Sequence, residues 1–494
     1  MSLAVKVRER SEDAAPRWRL SMPQLWAFVA VVLPMVASLG ARLSTVDLAY
    51  QLRAGASILA THSLPGVDTY SFTAAGRPWL DQQWGSQVLL ALFFRAGGWA
   101  GLVLLRAALV GGIFWLVYAS CRAVGASRRR SAGLTIAAFA IASPGLNLRP
   151  QLFAMLLFAL TGWLVARRHA QPRWVLAVPV IVVLWANIHG SFFLGPLLLG
   201  LAWLADRKVA PATARRSILL ALVSLPATLI GPYGYRVWTY VYDISRDPVI
   251  TRLVSEWQPP TIRNYGGAVF FISAMAVAAL LARRTASVPW TALLAIGVFF
   301  AIGLDAQRGI TWWAFAVPPI LAGIVPTTDG SPSSDADHRV LNSAIALILV
   351  GIGVALAPWW HSEEPPGGPD GSLSFAPPGI TAELAGLLRP GDRVFDSQVW
   401  GSWLEYRFPQ SLVAVDARIE LFPFDVWRQY ADVSAGRADW SSILDRWNVD
   451  VVVASRDQQR AFLPLIRNDT SWRLVYEDRD GEVFVRSTST VPAP

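Results

Sequence analysis

Up to about residue 358 the chain alternates long apolar stretches with short polar ones. A helix needs about 20 apolar residues to cross a bilayer. Eleven stretches come near that length: 23–43, 99–121, 131–148, 150–167, 174–190, 191–205, 216–232, 267–282, 288–304, 309–325 and 340–358. The sixth and seventh are short, so their limits are soft. A further run, 86–97, is too short to cross and suits a helix lying along the interface. The expected fold is mainly α: a polytopic helical membrane protein of about eleven spans. A large outer loop, 44–98, follows the first span.

After residue 358 the pattern changes. Residues 359–379 are rich in Pro and Gly and read as a linker. From 380 to 494 apolar runs such as R-V-F-D, L-V-A-V-D and V-D-V-V-V-A alternate with amphipathic stretches, which predicts a small α/β domain. R-L-V-Y-E-D-R-D-G-E-V-F-V-R reads as a hairpin, with Asp480-Gly481 expected to supply positive φ at the turn. The resulting division is a polar tail 1–22, a membrane domain 23–358, a linker, and the α/β domain 380–494.

Charge then orients the spans. Loops after even-numbered spans carry Arg122 with Arg128–Arg130, Arg167-Arg168 with Arg173, Arg207-Lys208 with Arg215-Arg216, and Arg283-Arg284. Basic residues accumulate on the cytoplasmic side. The N-terminus is therefore expected inside, with the odd-numbered loops and the C-terminal domain outside. The loop 326–339, nearly without basic charge, departs from this alternation. Composition agrees with a membrane protein: 54% hydrophobic and 16% charged, against roughly 25% charged in soluble domains. The 23 tryptophans suit aromatic belts. The net charge of +9 sits largely in the short loops, so a nucleic-acid partner is not expected. The single cysteine, Cys121, rules out an intrachain disulfide. The first apolar run is expected to stay as a helix, because no small-residue cleavage pattern follows it.

Candidate chemistry gathers where the apolar stretches end. The first loop holds Asp47, Arg53, His62, Asp68, Arg77, Asp81, Gln82 and Gln83, with Tyr50, Tyr70, Trp79 and Trp84 among them. The other loops assigned to the same side add Arg149 in L-R-P-Q, Asn187 and His189 in W-A-N-I-H-G, Tyr233, Tyr235, Glu256 and Asp305 with Arg308 in L-D-A-Q-R-G. Each has a plain alternative. Asp47 is also readable as a solvated helix-end residue, and Arg149 as a cation snorkelling to headgroups. His189 is also an interfacial cap, Glu256 a loop filler, and Arg308 a partner for Asp305. Taken together they suit chemistry on a lipid-borne substrate: a carboxylate takes a proton from an acceptor hydroxyl while a cation holds a phosphate. No metal-ligand spacing, P-loop or dinucleotide fingerprint is present.

The layout resembles the GT-C superfamily of polytopic glycosyltransferases, and within it a group of bacterial membrane proteins described as mannosyltransferase-like. The resemblance rests on V-D-L-A-Y-Q-L-R-A-G with D-T-Y-S-F-T-A-A-G-R-P-W, on D-Q-Q-W-G, on L-R-P-Q-L-F, on W-A-N-I-H-G-S-F, and on V-F-D, W-G-S-W-L and V-A-V-D-A-R in the tail. It implies a polyprenyl-phosphate sugar donor, a cell-envelope glycan, lipid or protein acceptor, and a place in a bacterial plasma membrane. It makes Asp47 the first-loop carboxylate and Asp81 the second acid. Gln82, Gln83, Trp84, Arg149, Asn187, His189, Glu256 and Arg308 are the expected substrate-binding residues. A divalent cation is left open, since Asp47 is followed by Leu48-Ala49-Tyr50-Gln51 where a His-containing run is often found. Two other readings stay open: a flippase for lipid-linked saccharides, with Arg106 as the one mid-span charge, and a non-catalytic assembly protein acting through its tail.

Overall fold

The computed structural model describes residues 20–283, 288–325, 338–360, 366–368 and 371–487. Most of the polar N-terminal tail, most of the loop 326–339 and part of the linker lie outside the described residues. The chain is mainly helical, 66%, and its described residues hold one small sheet. Every predicted apolar stretch contains a helix, from Met22–Gly40 at the start to Arg339–Ala355 at the end. Among the described residues three helices, Met22–Gly40, Trp84–Ala123 and Tyr265–Ala282, are long and apolar enough to cross a membrane. The other apolar helices are shorter, so helix length does not establish eleven crossings. The chain is a multi-pass membrane protein.

Several boundaries differ from expectation for local reasons. One boundary falls where it was expected: the interfacial run and the second span part at the non-helical Gly97 and Gly98, inside the stretch Trp84–Ala123. Gly98 has φ 56°, a conformation that costs an L side chain energy but not glycine. The seventh helix, Pro211–Ala227, begins earlier than the apolar run because Pro211 fits a helix first turn. The first loop is not irregular throughout: Leu48–Thr61 is helical, burying Leu48, Leu52 and Ile58 at helical spacing. Trp185 and Trp313 are buried inside the bundle rather than set in an interfacial belt. Arg106, 2% exposed, donates to the carbonyls of Ser38, Ala41 and Arg42. It ties off the free carbonyls where Met22–Gly40 ends, a structural duty.

The tail forms a five-stranded sheet of order β2-β1-β3-β5-β4, with β1 Arg393–Asp396, β2 Leu412–Val413, β3 Val451–Ser455, β4 Trp472–Glu477 and β5 Gly481–Arg486. Strands β2, β1 and β3 run parallel, and β5 and β4 add the antiparallel hairpin. Gly481 is not in the positive-φ region that the hairpin turn was expected to need. The Asp478 carboxylate holds that turn instead, accepting from the N–H groups of Asp480 (2.8 Å) and Gly481 (3.0 Å). Glycine is required there for space: a Cβ would lie 2.3 Å from the Ala454 carbonyl oxygen.

The first loop and the tail hold each other. Ser71 bridges to Val413 of β2, and the Phe72 N–H donates to the Val413 carbonyl at 3.0 Å. Arg53 donates to the Glu405 carbonyl at 2.7 Å. The centre of this contact is Arg418, 1% exposed. Its guanidinium pairs with Asp416, lies 2.8 Å from Asp68 and 3.8 Å from Glu405, and sits over the rings of Tyr70 and Trp79. A buried cation demands such compensation. Burial, with Asp416 alongside, pushes the Glu405 carboxyl well above the usual range, which favours its neutral acid.

Candidate active site

Between the helix bundle and the docked tail lies a cavity of about 330 Å³. Six of the residues expected from sequence line it: Asp47, Gln83, Arg149, His189, Glu256 and Arg308. The tail completes it with Gln398, Ala417, Ile419 and Glu420.

Each side chain is placed by the end of an element. Asp47 precedes helix Leu48–Thr61 yet makes no capping hydrogen bond. Its Oδ2 lies 3.6 Å from Arg149 Nε and 3.5 Å from Gln51 Nε2. Its Oδ1 is buried without a partner. Arg149 precedes Pro150, which biases it to extended backbone (φ −156°) and throws its side chain off the start of helix Pro150–Ala166. Its Nη1 donates to both Glu256 oxygens, at 2.7 and 2.6 Å. Arg308 lies in the turn Gln307–Gly309, ahead of helix Ile310–Ile324. Its Nη2 is 3.5 Å from both Gln151 Oε1 and His189 Nε2, and its guanidinium covers the Trp257 ring at 4.6 Å. Among the described residues no carboxylate, Asp305 included, comes within 4.0 Å of it. His189 follows helix Val178–Ala186, and its Nδ1 is fixed by Ser191.

The electrostatics separate the groups. Burial lowers Arg308, and the like charge of Arg149 lowers it further, to about 10, so it stays cationic at neutral pH. Burial acts on Arg149 in the same sense, but Asp47 and Glu256 outweigh it and hold that guanidinium above its ordinary value. Burial would raise Glu256, yet Arg149 and then Arg308 hold it below the usual carboxylate range. His189 is lowered well below its usual value by burial and by both arginines, and is neutral. The cavity thus joins a cationic corner to a carboxylate with one unused oxygen. Such a pair binds an anion and accepts a proton next to it.

Four expected site residues do not line the cavity. Gln82 Nε2 donates to the Ala186 carbonyl at 2.7 Å, and Trp84 Nε1 to Asn187 Oδ1 at 3.1 Å. Asn187 Nδ2 donates to the carbonyls of Val183 and Ile230. These three fasten the first loop to the end of helix Val178–Ala186, where free carbonyls need partners. Asp81, 3% exposed, accepts from Gln87 Nε2 at 2.7 Å, and its other oxygen has no partner. Burial pushes its carboxyl up to about 7. In the other direction, Tyr240, Gln151 and Trp257 line the cavity and were not singled out. Gln151 lies within the L-R-P-Q motif, so its neighbourhood was marked. Tyr240, on helix Arg236–Arg246, carried no signal beyond its aromatic ring. No group of three His, Cys, Asp or Glu side chains among the described residues converges to hold a metal ion.

No family model and no curated protein sequence matches the chain. Solved structures do. ArnT from Cupriavidus metallidurans in the apo state aligns over 92% of this chain and 96% of its own, with a TM-score of 0.52 and 17% identity. The archaeal oligosaccharyltransferase AglB from Archaeoglobus fulgidus, in complex with an inhibitory peptide and a dolichol-phosphate, aligns over 95% of this chain and 74% of its own, with a TM-score of 0.50 and 13% identity. Both are membrane glycosyltransferases of the GT-C superfamily, and this chain shares their fold.

Proposed function

We propose that this chain is a glycosyltransferase that moves a sugar from a polyprenyl-phosphate donor to a cell-envelope acceptor. The observation that carries the reading is the cavity itself: Arg308, free of carboxylate partners among the described residues, faces a space shared with the half-used carboxylate of Asp47. Arg308 and Arg149 hold the donor phosphate, and neutral His189 steadies Arg308 from behind. Asp47 takes the proton of the acceptor hydroxyl. The acceptor oxygen bonds to the anomeric carbon, the bond from that carbon to the phosphate oxygen breaks, and polyprenyl phosphate leaves as the anion. Glu256 neutralises Arg149 until the phosphate arrives and competes for it. Asp81, Gln82, Trp84 and Asn187 position the first loop rather than touch substrate. The fold shared with ArnT and AglB supports the class, and the dolichol-phosphate bound to AglB supports a lipid-phosphate donor. The basic loops favour a cytoplasmic N-terminus, eleven crossings, and a site and tail at the outer face of a bacterial plasma membrane.

The test is complementation of a deletion strain, with envelope glycans followed by mass spectrometry. Deletion should remove one glycan and the wild-type chain restore it. Asp47→Asn should slow its return by roughly 10²–10⁴-fold, the usual worth of a general base. Full restoration by Asp47→Asn, from protein present at wild-type level, contradicts the assignment.

A further inference from the structure

The cavity's carboxylates are not equivalent. Asp47 and Glu256 both lie against Arg149. Glu420, brought in by the tail, has no Arg, Lys or His nitrogen within 4.0 Å among the described residues. Its one hydrogen-bond donor from a side chain is the Tyr240 hydroxyl, 3.1 Å from Oε1. The nearest guanidinium influence, from Arg418, is already taken up by Asp416 and Asp68. The backbone N–H of Glu420 also hydrogen-bonds to its own carboxylate. A carboxylate accepts about four hydrogen bonds, so part of this one's capacity is left where it borders the cavity.

We infer that Glu420, with Tyr240 and Gln398, forms the wall that holds the hydroxyl groups of a sugar ring, making the tail domain the element that selects the sugar. The inference rests on the glycosyltransferase reading above and concerns the side of the cavity away from the phosphate. Position argues for it. The phosphate is drawn to Arg308 and Arg149 on the far side of the cavity, while burial raises the Glu420 carboxyl above its ordinary value. This wall therefore offers hydrogen-bonding atoms rather than a counter-charge, and a sugar phosphate enters in one orientation. Neutral hydroxyls satisfy the carboxylate without a second buried charge. Tyr50 and Tyr240 add ring faces for the apolar side of the sugar. The tail therefore does more than cover the site. The docking of Arg418 two residues away fixes the position of Glu420, so selection depends on the loop–tail contact being made.

The full chain in lipid nanodiscs would be titrated with polyprenyl phosphate alone and with the polyprenyl-phosphate sugar pool extracted from the host. Wild type is compared with Glu420→Ala and the shape-preserving Glu420→Gln. If the ring belongs to the donor, Glu420→Ala binds bare polyprenyl phosphate as wild type does and the sugar-bearing lipid about tenfold more weakly, the scale of a lost hydrogen bond to a charged group. Glu420→Gln, which keeps acceptor oxygen but not charge, falls between. If the ring belongs to the acceptor, both donor affinities hold and the KM for acceptor rises about tenfold. Equal weakening for bare and sugar-bearing lipid, or no change in any of the three, overturns the inference. So does improved use of amine-bearing acceptors alone as the only property Glu420 controls. Failure of the wild-type chain to bind polyprenyl phosphate at all would instead overturn the donor assignment on which the inference rests.

Discussion

Two arginines lie where the bundle meets the tail and are put to opposite uses. Around Arg418 the protein supplies its own counter-charges: Asp416 and Asp68 pair with it, Glu405 stands nearby, and Tyr70 and Trp79 close over it. Around Arg308 the partners are an amide, an imidazole and an indole face, with no carboxylate within 4.0 Å among the described residues. The first cluster is sealed and the second opens on a cavity. Compensation by the protein's own acids leaves nothing for a ligand to do. A cation supported only by neutral groups keeps its charge available. Residue type does not tell a latch from a binding site; the count of satisfied partners does.

Breaking the closed cluster should give the largest effect on folding. Arg418→Met leaves Asp68, Asp416 and Glu405 buried together without their cation, and loss of one partner from such a group costs about 3–5 kcal/mol. Hydrogen exchange should show the 62–79 segment and the tail loosening together, with the helix bundle little changed. Exchange unchanged at Tyr70 and Val413 would mean that Arg418 does not join loop to tail.

A smaller effect sharpens the contrast from beside the cavity. Asp81 is raised from 3.8 to about 7 by burial, so the folded chain retains a proton the unfolded chain has lost between those values. Its contribution to stability is complete below the unfolded value and is lost as pH rises through the folded one. Asp81→Asn should therefore gain on wild type in thermal stability as pH goes from about 5 to about 8. A difference between the two proteins that does not vary with pH would show that Asp81 is not titrating in that window.

How much of this was legible depended on position along the chain. Asp47, Arg149, His189 and Arg308 each follow or precede an apolar element, so its limits alone placed them at one end of the bundle; Glu256 lies midway along the loop between two such elements. The helix Leu48–Thr61 was hidden because Asp47, Gln51 and Arg53 interrupt its apolar face, and a polar loop was the simpler reading. Asp81, Gln82, Trp84 and Asn187 have the same chemistry as the cavity residues, and only their hydrogen bonds to backbone and to one another set them apart. The Arg418–Asp68 pair joins residues from opposite ends of the chain, a contact no local pattern encodes. Glu420 stands two residues beyond the tail motif V-A-V-D-A-R, but its lack of a cation is a fact of three dimensions.

The comparison of the two clusters is tested most directly by the affinity of the full chain for polyprenyl phosphate, measured for wild type and for Arg308→Gln in nanodiscs. An available cation predicts binding that weakens by about tenfold or more in the variant, with the melting temperature unchanged or raised. Equal affinity in the two proteins, or a variant that unfolds as Arg418→Met is expected to, would contradict it and make Arg308 a second structural latch.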